Sequence, residues 1–155
     1  NQEFINSLSL EQPSLFKQIY NKIIELANKL TGNSNQALFM KDLKNKGYKI
    51  YLISASPEFY LNEFYECKEI DKIIGTKFKF KDKKFIREMD GSNCKGEEKV
   101  RRLMEELKKD NIEVDFKDSY MFSDSLSDKP LLDLVGHPYL INFKKKNDIE
   151  VLKWK

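Results

Sequence analysis

Two short polar clusters carry residue types that can handle an anion or a hard cation. The first, Ser54-Ala55-Ser56, follows directly on the apolar run Ile50–Ile53. Small hydroxyl side chains at a strand end that runs into a helix start leave free backbone N–H groups, which suit a phosphate-like anion. The same residues also suit a helix N-cap and a tight turn, and both readings stand at this point. The second cluster, Ser123-Asp124-Ser125-Leu126-Ser127-Asp128, follows Tyr120-Met121-Phe122. Two carboxylates four residues apart in a turn can share a hard cation, and Mg²⁺ is often held by one or two carboxylates plus a substrate phosphate. The alternative makes Asp124 a turn residue and Asp128 the N-cap of the next helix.

Between them lies Asn93-Cys94-Lys95-Gly96-Glu97-Glu98-Lys99-Val100-Arg101-Arg102-Leu103. A lysine in the first turn of a helix opposes the macrodipole, so Lys99 is poorly placed as a plain surface charge and well placed if it reaches an anion. A solvated surface lysine is the ordinary alternative.

The elements that must position these residues follow from periodicity. Leu15, Phe16, Ile19, Tyr20, Ile23, Ile24, Ala27 and Leu30 predict a helix over 14–30, and a second is expected over 36–46. The period then changes. Lys49–Ser54 reads as a buried strand, and Ser56-Pro57-Glu58 as the capped start of a helix over 57–68. Residues 73–87 read as a β segment with a hairpin around Asp82-Lys83-Lys84. A helix is expected at Glu97–Lys109, with Val100, Leu103, Met104 and Leu107 inward. Strands at Ser119–Ser123, Tyr139–Asn142 and Glu150–Trp154 and a short helix at Lys129–Val135 complete the pattern. The alternation gives an α/β chain with a mainly parallel sheet, whose ligands sit beyond the carboxyl ends of the strands.

A strand ending in SAS, then NCKGEEKVRRL, then YMFSDSLSDKPLL, in that order, resembles the haloacid dehalogenase superfamily, and within it the phosphoserine-phosphatase-like phosphatases. The likeness spans roughly Leu43 to Asn142. It implies a three-layer Rossmann-like fold, with residues 1–36 as part of a helical cap and 37–155 as the α/β core. It further implies that Ser54, with Ala55 and Ser56, binds substrate phosphate and that Lys99 neutralises phosphoryl charge, with Lys95 as an alternative. Asp124 then holds Mg²⁺, supported by Asp128. The implied substrate is a small phosphorylated metabolite. Phosphoserine phosphatases tend to carry Asn just before the second acid; here Ser127 stands there, which weakens phosphoserine itself as the substrate.

The family's first motif, DxDx(T/V), supplies the aspartyl nucleophile and a second Asp for acid–base work. It does not occur in these residues: the only Asp before Ser54 is Asp42, in a predicted helix, and Asp71 and Asp90 have no Asp two positions on. In the family that motif ends a first strand that lies mid-sheet, which here implies a place between the strands ending at Ser54 and Ser123. Each unpaired buried backbone group costs roughly 1–3 kcal/mol against domain stabilities of roughly 5–15 kcal/mol. The core is therefore expected to gain a strand from an N-terminal segment outside these residues, from a second chain, or by direct pairing of the two strands, in that order. The chain begins at Asn1 rather than Met, as a processed or truncated product does. If the nucleophile is truly lost, the alternative is a degenerate, non-catalytic phosphate-binding module of the same fold.

Composition sets the outer bounds. The 155 residues suit one domain, and 12% aromatic content with 11 Phe argues against disorder despite 34% charged residues. No apolar run approaches the roughly 20 residues of a membrane helix. The net charge of +3 is too small to imply nucleic acid, and the stretch Lys77–Arg87 reads as the solvated face of a hairpin. No nucleic-acid or membrane partner is expected. Cys67 and Cys94 form no CxxC pair and read as inert thiols, which with the lack of a signal peptide fits a cytoplasmic protein.

Overall fold

The computed structural model describes residues 35–153. The expected helix at 14–30, nearly all of the expected cap segment and Trp154 lie outside the described residues. The chain divides into two compact units, Asn1–Asn93 and Cys94–Lys155.

In the first unit, α1 (Asn35–Asn45) leads into β1 (Tyr51–Pro57), which pairs in parallel with β2 (Lys72–Thr76). Asp71 ties these elements together. Its carboxylate accepts the Ile50 N–H at 2.7 Å and the Lys44 ammonium at 2.6 Å. Partial burial pushes this carboxyl upward, but the Lys44 and Ile50 contacts outweigh it and hold it below its ordinary range. Asp71 is thus a pin at the foot of the sheet.

The expected helix over 57–68 is shorter and starts later. Pro57 occupies the cap position with no side-chain cap bond, so Ser56 is not the cap; α2 covers only Glu58–Leu61 and tightens into a 3-10 helix at Asn62–Glu66. The sequence explains the tightening. Leu61, Phe64, Cys67 and Ile70 recur every third residue and all are buried, and a 3-10 helix places i and i+3 on one line. With Tyr60 and Ile73 they form the core of this unit. A four-residue helix has no stability of its own, so this packing holds it.

Beyond β2, β3 (Phe78–Lys81) and β4 (Lys84–Met89) form an antiparallel hairpin. The turn is Asp82-Lys83, both with positive φ, and Lys84 already belongs to β4. Phe78, Phe80 and Phe85 gather around Phe59 with ring centroids 5.4–5.9 Å from it.

In the second unit, α3 (Glu97–Lys109) has the expected bounds. It is rotated relative to expectation: Met104 is exposed, while Lys99, Arg102 and Leu107 are buried. At about 100° per residue, 99, 102, 103 and 106 share one face and 104 lies well off it. β5 (Tyr120–Ser123), β6 (His137–Ile141) and β7 (Glu150–Leu152) form a wholly parallel sheet. A 3-10 turn at Leu126–Asp128 and α4 (Lys129–Leu132) replace the longer helix expected over 129–135. The buried Leu107, Leu131, Leu132 and Leu140 supply the core. β6 starts two residues before the strand expected at Tyr139–Asn142, and its first residue, His137, stacks on Tyr120 at 4.5 Å. Among the described residues β1 pairs with β2, and β5 with β6, in separate sheets.

Candidate active site

In the first unit, Leu52 and Ile53 sit opposite Ile73 and Ile74, and the next matched pair is Pro57 with Thr76. Three residues of β1, Ser54-Ala55-Ser56, therefore face the single residue Gly75 of β2. The extra residues bulge out of the ladder, as strands do where side chains are re-aimed beside a site. Gly75 makes the bulge possible: a Cβ there would lie 2.5 Å from Leu61 Cδ1 and 3.0 Å from the Ser56 carbonyl oxygen. Thr76 fixes the crest. Its buried hydroxyl donates to the Ala55 carbonyl at 2.7 Å and also reaches Asn93 Oδ1 at 3.0 Å. The Ser56 N–H donates to Ser54 Oγ at 3.1 Å, so this one of the expected free N–H groups is already taken. Ser54 accepts in that bond and keeps its O–H for another acceptor. Ala55 stands exposed at the crest.

In the second unit the arrangement is ionic. Lys99 Nζ lies 2.5 Å from Asp128 Oδ1, with side chains only 8% and 12% exposed. The other oxygen, Oδ2, accepts the Ser123 hydroxyl at 2.6 Å. Ser123 in turn accepts the Ser125 N–H at 3.1 Å, and Ser125 Oγ accepts the Ser127 N–H at 3.1 Å. Asp128 occupies the cap position of α4, but its side chain makes no cap bond; both oxygens are committed to Lys99 and Ser123. Among the described residues the ammonium makes this one bond, which leaves two of its three N–H donors for an anion.

Gly96, at φ +59°, sets the entry into α3. Glu98 fastens the first turn through Arg101, bonded by Nε and Nη2, and through Arg102 Nε at 3.0 Å. These guanidinium groups hold its carboxyl down at about 2. Cys94 is fully buried beside this array, and burial pushes its thiol up although Arg102 and Lys99 pull the other way, so it stays a neutral thiol. Lys95 is exposed.

Asp124 is exposed just past the end of β5, and among the described residues its carboxylate has no hydrogen-bond or ion-pair partner. No group of three His, Cys, Asp or Glu side chains that could enclose a metal occurs among the described residues. An open carboxylate nevertheless suits Mg²⁺, which keeps several waters and takes one or two protein carboxylates. The structure thus joins Lys99 to Asp128, leaves Asp124 and Lys95 open, and adds Ser123, Gly75 and Thr76, which side-chain chemistry in the sequence did not single out.

The pattern of the haloacid dehalogenase-like hydrolases matches residues 7–133. The chain belongs to this family. Protein CicA of Caulobacter vibrioides is 36% identical over 61 residues, which are 39% of this chain and 28% of CicA. A Bordetella pertussis Tohama I protein of unknown function superposes with a TM-score of 0.69 at 21% identity, covering 85% of this chain and 60% of that one. A phosphoserine phosphatase held as an analogue of its phospho-aspartyl intermediate gives a TM-score of 0.58 at 21% identity, covering 81% and 59%. The α/β fold with parallel sheets is therefore that of the haloacid dehalogenase family. The chain spans less than two thirds of each of these relatives. No helix among the described residues is long and apolar enough to cross a membrane.

Proposed function

We propose that this chain forms the phosphate-handling part of a Mg²⁺-dependent phosphomonoester phosphatase that acts on a small phosphorylated metabolite. The observation that carries the reading is the buried Lys99–Asp128–Ser123 array, which fixes a cation in the first turn of α3 with two donors to spare. Lys99 would neutralise phosphoryl charge. In the first unit, the Ser54 hydroxyl would serve as a phosphate donor. Asp124 would hold the metal, which when bound neutralises charge on the transferring group. In this reading the attacking carboxylate would come from a DxDx(T/V) segment outside residues 1–155. It displaces the alcohol, forms an aspartyl phosphate, and is regenerated when water cleaves the acyl phosphate.

The absence of DxDx(T/V) from residues 1–155 favours a second reading, a non-catalytic phosphate-binding module. The product of the complete reading frame, assayed on p-nitrophenyl phosphate with and without EDTA, separates the two. The phosphatase reading expects metal-dependent turnover that falls about 10²–10³-fold in Lys99→Met, and a phosphoenzyme that hydroxylamine cleaves. Calorimetric phosphate binding without turnover establishes the module instead.

A further inference from the structure

The β3–β4 hairpin breaks local rules at its tip. Lys81 and Lys84 are directly opposed in the ladder, and like charges in that relation destabilise a sheet. Asp82 and Lys83 form the turn at φ 52° and 64°. Such a turn favours Gly at its second position, and a lysine there carries a steric cost. Lower down the hairpin Lys79 has an acidic partner, Glu88 at 2.8 Å. At the tip, Lys81, Lys83 and Lys84 are all exposed and have no acidic partner among the described residues. Three lysines and one aspartate leave the tip with a net +2. Phe80, in the pair next to the tip, is 45% exposed. Costs without local compensation mark positions chosen for something other than folding.

We propose that this tip docks end-on against an anionic lipid bilayer, with the lysines drawn to the headgroups and Phe80 entering the interface. Lysines near an anionic surface add diffuse attraction, and an adjacent aromatic supplies the apolar contact. Nucleic acid fits less well. A lysine is a point charge without the guanidinium fork that reads phosphates and bases in pairs. Phe80 is the one exposed aromatic among the described residues of the hairpin, whereas single strands are held by bases stacked on several aromatic side chains. The sequence also carries a second lysine run, the exposed Lys144-Lys145-Lys146, without an exposed aromatic neighbour.

The full chain is sedimented with phosphatidylcholine vesicles containing about one-third phosphatidylglycerol, and with pure phosphatidylcholine vesicles, at low salt. Binding to the anionic vesicles alone is expected. Lys81→Glu/Lys83→Glu/Lys84→Glu should lower the partition coefficient at least about tenfold, and Phe80→Ser a few-fold. The charge-matched Lys144→Glu/Lys145→Glu/Lys146→Glu should change it less than about twofold. Lys83→Gly is the sharpest variant, because it should raise the urea midpoint while weakening vesicle binding. No binding to anionic vesicles, equal losses in the two triple variants, or tighter binding to a single-stranded oligonucleotide each overturns the proposal.

Discussion

The two strand-end turns hold the candidate site residues by different means. Ser54-Ala55-Ser56 is shaped by backbone: a bulge against Gly75, a carbonyl clamped by Thr76, and no charged side chain in the turn. Ser123–Asp128 is shaped by side chains: a buried ion pair, a serine on its second carboxylate oxygen, and a chain of hydroxyl bonds. A backbone-built turn is lost when space is lost, and a charge-built turn when a partner is lost. Substitutions chosen on that basis should separate the two.

The largest effect is expected at Lys99. Lys99→Met strands the Asp128 carboxylate in a nearly buried position, and removing one partner of such a pair costs about 3–5 kcal/mol. Urea unfolding should show that loss. Adding Asp128→Leu should recover most of it, because an apolar pair of similar volume has no charge to desolvate. Phosphate binding should not recover, since the cation is gone. If the double variant stays as unstable as the single one, the turn is not held by charge.

Gly75→Ala is the matching break in the backbone-built turn. Its Cβ would meet Leu61 Cδ1 at 2.5 Å and the Ser56 oxygen at 3.0 Å. The leucine tip can move, whereas the carbonyl belongs to the bulge, so about 1–3 kcal/mol of destabilisation is expected. Weakened phosphate binding should accompany it, although no polar side chain has been removed.

These contrasts explain what the sequence made legible. The bounds of α3 were readable because acids lead and lysines trail over three turns. Its rotation was not: hydrophobicity put Met104 inward, whereas the pairing of Lys99 with an acid 29 residues away turns that face to the core. The order SAS, KGEEK, SDSLSD located the candidate residues, yet the role of Ser123 depends on a contact that spacing does not encode. The shortness of α2 is not legible, because a three-residue apolar period in Leu61, Phe64 and Cys67 also fits the edge of an α-helical stripe. Gly75 carried no signal beyond being a glycine in a strand pattern, which hints at close approach without naming the neighbour.

Thr76→Val gives a finer probe of the first turn. It keeps the shape and removes the donor to the Ala55 carbonyl. Ala55 is exposed, so water can replace the lost partner, and a cost of about 1 kcal/mol is expected in urea unfolding. The loss should be a fraction of that at Lys99, because no charge is stranded.

The smallest effect separates the turns by pH. Glu98 anchors the first turn of α3, and its carboxyl is held at about 2 against an ordinary value of 4.5, by hydrogen bonds from Arg101 and then Arg102. A carboxyl depressed in the folded state binds fewer protons than in the unfolded chain, so its contribution is complete above about 4.5 and is lost as pH falls towards 2. Its surroundings are partly open to solvent, which screens the gain and keeps it modest. Glu98→Gln should therefore flatten the fall in stability between pH 4.5 and 2 while changing little at pH 7. The Ser54-Ala55-Ser56 turn holds no group that titrates in that window, so Ser54→Ala should leave the slope unchanged. Parallel urea titrations across that range check both. An unaltered slope in Glu98→Gln would mean that the guanidinium clamp on α3 contributes nothing to the unit that carries Lys99.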